Sequence, residues 1–161
     1  MDNIRPARAE DHSAIIKIWH AGWHDAHAHL VPEPLLKFRE IEHFWLWLEG
    51  SADQFFVATS GKSIVGFVAT NEAELVKLYV ASGARGTGIA AALLAFGERN
   101  IADSGVTDAL LYSTAGNTRA ERFYRRNGWV LSETFQDALW LPEKVANMGV
   151  VDTHRFNKHL G

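Results

Sequence analysis

The chain has 161 residues, 47% of them hydrophobic, enough for one domain over 1–161 with a full core and too little for two ordinary domains. Its 16 Lys and Arg against 19 Asp and Glu leave a net charge of -3, which gives no footprint for nucleic acid or an anionic membrane, so any bound polyanion must be held locally. No cysteine means no disulfide, thiolate nucleophile or Cys-ligated zinc, and the lack of a long apolar run or an apolar N-terminal stretch argues against a membrane span or signal peptide, leaving a soluble cytoplasmic protein as the expectation.

Residues 3–8 suit a short first strand, and Asp11 is placed to cap a helix in which Ile15, Ile18, Trp19 and Gly22 follow the helical period. His24 to Pro34, with its histidines and two prolines, reads as a loop. Leu35, Phe38, Ile41, Trp45 and Leu48 then recur at helical spacing up to Gly50. Phe55–Thr59 and Ile64–Thr70 flank Ser60-Gly61-Lys62-Ser63, the pattern of a hairpin with a tight glycine turn. Glu74–Val80 reads as strand four, and after a loop of small residues Ile89, Leu93, Phe96 and Ile101 mark helix three. Ala109–Ser113 gives strand five, Asn117–Asn127 a helix ended by Gly128, and Trp129–Thr134 strand six. Phe135–Gly149 is poorly periodic, and Val150–Asn157 reads as a last strand. The order β-α-α-β-β-β-α-β-α-β-β describes a mixed α/β (α+β) sheet.

The chemistry concentrates where strand four turns into helix three. A helix N-terminus leaves N–H groups unpaired and carries partial positive charge, so a glycine entry lets a phosphate approach closely. In Arg85-Gly86-Thr87-Gly88-Ile89-Ala90 the glycines lack Cβ atoms, Ala90 stays small, and Arg85 adds a guanidinium. By itself the pattern is equally an ordinary loop and cap. Gly86-Thr87-Gly88-Ile89-Ala90-Ala91 also fits the dinucleotide fingerprint G-x-G-x-x-A, although that motif joins strand to helix directly and residues 81–85 intervene here. The Gly-Lys-Ser/Thr ending of a Walker A loop is missing.

Arg85-x-x-Gly88-x-Ala90 after Leu78-Tyr79-Val80 resembles the cofactor motif of the GNAT superfamily of N-acetyltransferases. Asn117-x-x-Ala120-x-x-Phe123-Tyr124-x-x-x-Gly128-Trp129 is similar to that family's second motif. The resemblance covers most of the chain and is strongest over 74–130. It implies a GNAT-like sheet splayed between strands four and five, with acetyl-CoA as donor and no metal. The pantetheine arm would lie along the backbone of Leu78, Tyr79 and Val80, with its pyrophosphate on Arg85, Gly86, Thr87, Gly88, Ile89 and Ala90. The N–H of Leu78 would face the thioester carbonyl and stabilise an oxyanion.

Acetyl transfer to an amine needs the amine neutral and a proton for the departing thiolate. The resemblance implies Tyr124 as the acid, since a phenol stays protonated at neutral pH, and Glu74 as the base, directly or through water. Glu72, two residues earlier on the same face, is a second acid on the acceptor side. Either carboxylate equally suits a solvated strand end, Tyr124 suits a core aromatic, and Asn117 suits either a cofactor contact or a bare N-cap. In the family the loop after helix one walls the acceptor site, which nominates Trp23 and His24, with Trp45 or Trp47 as further aromatic wall. Core packing explains the tryptophans as well, and His24, His27 and His29 lack the i, i+4 pairing expected of a helical metal site.

The implied reaction is direct attack of a primary amine, from a small molecule or a peptide, on acetyl-CoA in a ternary complex, because no cysteine can carry the acyl group. Two other readings are an acyl-CoA sensor that has lost transfer chemistry and a nucleotide-dependent oxidoreductase. Nucleic acid and membrane are not expected partners, and a homodimer through the C-terminal strands is compatible with the sequence.

Overall fold

The computed structural model describes residues 3–161. Seven strands form one sheet in the order β1-β2-β3-β4-β5-β7-β6. They are β1 (Asn3–Pro6), β2 (Gln54–Ser60), β3 (Ser63–Asn71), β4 (Glu74–Val80), β5 (Asp108–Thr114), β6 (Val130–Ala138) and β7 (Val150–His159). Four helices cover it: α1 (His12–His27), α2 (Ile41–Glu49), α3 (Ile89–Asp103) and α4 (Thr118–Arg126). The element order is the one expected from sequence, and all strand pairs are antiparallel except β4 with β5.

Side-chain alternation along the central strands builds a core on each face. Phe56, Ala58 and Val68 point to one side, where Leu93, Leu94 and Ile101 of α3 meet Leu111, Trp129 and Phe156. Val57 and Phe67 point to the other, against Ile15, Ile16 and Trp19 of α1 and Phe44 and Leu48 of α2. A partly buried polar knot ties the C-terminal part to α3: Glu98 accepts from the Trp129 indole at 3.1 Å and from Lys158 at 2.7 Å.

Several expected boundaries shift. Asp11 does not cap α1 through its side chain; its carboxylate accepts from Arg5 at 2.6 Å and from the Arg8 amide at 2.8 Å. The expected loop from His24 begins later, because α1 continues to His27 and so carries Trp23 and His24. Ile16, Trp19 and Trp23 prolong the buried stripe, and no proline intervenes within or after α1 until Pro32. The expected second helix divides into a 3-10 turn over Glu33–Phe38 and α2, separated at Arg39-Glu40. Phe135–Ala138 belongs to β6, and the last strand, β7, lies between β5 and β6.

Candidate active site

The register between β3 and β4 pairs Ala69 with Lys77 and then Thr70 with Leu75, so Val76 is an extra residue in β4. A bulge of this kind bends and twists its strand. On the other side, β4 meets β5 at one rung, Glu74 with Leu110, where the Leu110 amide donates to the Ala73 carbonyl at 3.0 Å. Beyond that rung β5 keeps its ladder with β7 through Thr114 while β4 keeps its ladder with β3 through Val80. The sheet therefore splits between β4 and β5, as the sequence resemblance implies.

A cavity of about 370 Å³ fills the split. Its walls are Leu78, Tyr79 and Val80 from β4, Tyr112 to Thr114 from β5, and Asn117, Ala120, Phe123 and Tyr124 around α4. Arg85, Gly86, Gly88 and Ala90 close the end beyond Val80. Gly88 is the N-cap of α3 with φ +87, a left-handed conformation that favours glycine, and it supplies no capping side chain. The first bond of α3 runs from the Ala92 amide to the Gly88 carbonyl, leaving the amides of Ile89 to Ala91 without an intrahelical acceptor. A Cβ on Gly86 or Gly88 would meet nothing within 4 Å, so the space before these donors is open. The residues present fit a pyrophosphate in this cradle.

Thr87 and Ile89 do not line the cavity. The Thr87 hydroxyl donates to the Ala84 carbonyl and secures the turn, while the Ile89 side chain is core, so only their backbone is available to an anion. Arg85 and Arg119 both donate to Asp25 on α1, at 3.0 and 3.1 Å, and Arg126 adds a third guanidinium to the lining. Arg119 first, then Arg85, holds the Asp25 carboxyl below its ordinary range. Asn117 caps α4 by accepting from the Ala120 amide at 3.4 Å and lines the cavity too.

Tyr124 lines the cavity from α4, packed edge-on against Phe123 and Trp129. Burial pushes its phenol up to about 12. Tyr79, raised by burial and then by Tyr124, has its ring against Gly22, where an added Cβ would come within 2.5 Å of it.

The acceptor-side expectations divide. A second cavity, about 210 Å³, lies on the α1–α2 side and shares His27, Lys77, Tyr79 and Tyr112–Thr114 with the first. Trp23 and Trp47 line it; Trp45 does not. His24 lines neither cavity, because its Nε2–H donates to the Arg39 carbonyl at 2.7 Å. Glu74 also lines neither. It is half-buried at the closed end of the split, where burial and then the Asp53 charge raise its carboxyl. Glu72 corrects an expectation: it sits in the β3–β4 turn, exposed and with φ +51, so it does not share a strand face with Glu74.

Sequence reasoning missed most of this second wall. Arg39 is fully buried and Trp140 stacks on Trp47 at 4.8 Å with planes 4° apart. Nothing local marks Trp140. His27 had a signal, one turn after Trp23 on the buried stripe. It lines both cavities, its Nδ1 has no partner, and burial lowers it to about 4, so it is neutral at neutral pH.

Two mycothiol acetyltransferases resemble the chain. The one from Streptomyces bingchenggensis is 34% identical over 126 residues, covering 72% of this chain and 40% of that protein. The one from Streptomyces scabiei is 37% identical over 86 residues, covering 50% of this chain and 28% of that protein. The chain thus spans less than half the length of these curated relatives. Among solved structures, a GCN5-related N-acetyltransferase from Rhodopseudomonas palustris superposes with a TM-score of 0.77 at 18% identity, covering 99% of this chain and 96% of that one. PaiA N-acetyltransferase from Thermoplasma acidophilum, in complex with coenzyme A, gives a TM-score of 0.71 at 19% identity over 99% of each chain. Residues 51–131 match the family profile described as the acetyltransferase (GNAT) domain. That stretch takes in β4, the cradle, α3, β5, the split and α4, and the chain belongs to the GNAT acetyltransferase family.

Proposed function

We propose that this chain transfers acetyl from acetyl-CoA to a primary amine by direct attack in a ternary complex. The observation that carries the reading is one continuous cavity joining an open glycine cradle at the α3 N-terminus to a phenol at the split between β4 and β5. The coenzyme A complex of the Thermoplasma acidophilum relative and the mycothiol acetyltransferases support the same donor.

Acetyl-CoA supplies an acyl group activated as a thioester. The cradle amides and Arg85, with Arg119 and Arg126 beside it, hold its phosphates. The Leu78 N–H donates to the thioester oxygen as charge builds on it. The acceptor nitrogen forms its bond to the carbonyl carbon as the carbon–sulfur bond breaks, and Tyr124 gives its proton to the sulfur. The proton lost by the amine passes to water. Glu74 touches neither cavity, so any part it plays as base runs through water. Neutral His27 and Tyr79, both shared by the two cavities, border the route of the amine to the thioester.

A CoA-release assay over a panel of amines tests the reading, with a thiol reagent as readout; the chain has no cysteine to contribute background. Release that depends on both acetyl-CoA and an amine is expected. Stabilisation by acetyl-CoA without release from any amine would favour a non-catalytic acyl-CoA sensor.

A further inference from the structure

Arg39 is a buried cation without an anion. Its side chain is fully buried, Nη1 donates to the Phe38 carbonyl at 3.0 Å and Nη2 to the Trp140 carbonyl at 2.6 Å, and Nε–H has no partner. Among the described residues it forms no ion pair. A guanidinium has five N–H donors in a fork suited to a carboxylate, and neutral carbonyls leave its charge uncompensated. Three indoles repay part of that cost: its centre lies 4.9 Å from the ring of Trp23, 5.1 Å from that of Trp47 and 5.6 Å from that of Trp140. Lys77, the other cation of this cavity, differs in having Asp53 at 3.3 Å.

The surroundings restrict what completes Arg39. The carboxylate lining this cavity belongs to Asp137, whose Oδ1 accepts from the Ala138 amide and which pairs with neither cation. The cavity shares Tyr79 and His27 with the cavity that holds Tyr124, so a molecule seated beside Arg39 meets side chains that also face the split. An acceptor carrying only ammonium groups would set further positive charge beside a guanidinium that has no anion.

We propose that this cavity binds the carboxylate of a small amino-acid acceptor, with Arg39 as its counter-ion. The proposal rests on the acetyl-transfer reading and names the acceptor class for that same site. Arg39 also tethers Trp140 to the segment before α2, and a purely structural role would make its loss a matter of stability alone. The carboxylate role makes its loss a matter of discrimination between substrates.

The test compares α-amino acids with their own carboxamides, for example leucine with leucinamide and phenylalanine with phenylalaninamide. The amide has the less basic amine, so more of it is neutral and simple reactivity favours it. The wild-type protein is expected to show kcat/KM at least about tenfold higher for the acid member. Arg39→Gln should bring the ratio near one with acetyl-CoA affinity unchanged, and Arg39→Lys should retain part of the preference. Equal or better use of the amide by the wild type, or a ratio that survives Arg39→Gln, overturns the subsite while leaving acetyl transfer intact. If Arg39→Gln fails to bind acetyl-CoA, the wild-type ratio and Arg39→Lys decide. If no amine releases CoA, the acetyl-transfer reading fails, and tryptophan emission titrated with the same pairs judges the subsite alone. Emission that responds to leucine and not to leucinamide supports the subsite; an equal or absent response overturns it.

Discussion

The proposed donor and acceptor sides of this site are built in opposite ways. The donor side rests chiefly on backbone, the open amides at the start of α3 and the free edge of β4, with guanidinium groups at one end and one phenol on α4. The acceptor side is made of side chains from distant parts of the chain: Trp23 on α1, Arg39 before α2, Trp47 on α2, Lys77 on β4 and Trp140 after β6. Backbone recognition tolerates any sequence that keeps the bend, the glycines and the helix start. Side-chain recognition is specific and can be rebuilt without disturbing the fold, which is why one scaffold can keep its donor and change its acceptor.

The comparison breaks most sharply at Gly88. Gly88→Asp sets a side chain and a negative charge in the cradle at φ +87, and acetyl-CoA affinity should fall more than about 100-fold by calorimetry, with the acceptor side unaltered. Wild-type affinity in that variant would remove the cradle from the site.

Tyr124→Phe should lower kcat by about 100-fold while the acetyl-CoA Kd holds. The pH dependence has a definite sign. A phenol raised to about 12 stays protonated where an unshifted one begins to ionise, so kcat should show no alkaline decline from Tyr124 up to about pH 10. A descending limb centred near pH 9 that disappears in Tyr124→Phe would contradict this.

Trp140→Ala acts on the other side. It removes the stack on Trp47 and the far wall of the second cavity, and acceptor KM should rise about tenfold with acetyl-CoA affinity within about twofold of wild type. A loss shared equally by both substrates would mean that the two sides are not separable.

The smallest effect is expected at Arg119. Both it and Asp25 are largely exposed, so their pair contributes little in water. Arg119→Gln should weaken acetyl-CoA binding by about threefold at low salt, and the difference should vanish near 0.5 M salt, where the screening length is only about 4 Å. Isothermal titration at the two salt concentrations measures it.

The two sides also differ in how legible they were. Residues 78–90 and 117–129 are contiguous, and their glycines, N-cap and aromatic spacing state local backbone needs, so cradle and phenol could be read directly. Asn117 was read as a cofactor contact or a bare N-cap, and the structure shows it capping α4 while lining the cavity. His24 was misassigned because a histidine-rich stretch with prolines looked like a loop, whereas the Trp19–Trp23 stripe carries α1 through it. Glu74 stood at the expected point of β4, but the single rung to Leu110 closes the split there and keeps its carboxyl away from both cavities.

The amino-acid sequence by itself determined the order of elements, the family, and the glycine turn, helix start and phenol that line the first cavity, because each depends on residues near one another in the chain whose spacing expresses a backbone requirement. Tertiary structure alone decided that β7 enters between β5 and β6, that Val76 bulges where β4 leaves β5, and that Arg39 ends unpaired among three indoles. Those features join positions as far apart as Trp23 and Trp140, and no local period or motif records which distant side chains a folded sheet brings face to face.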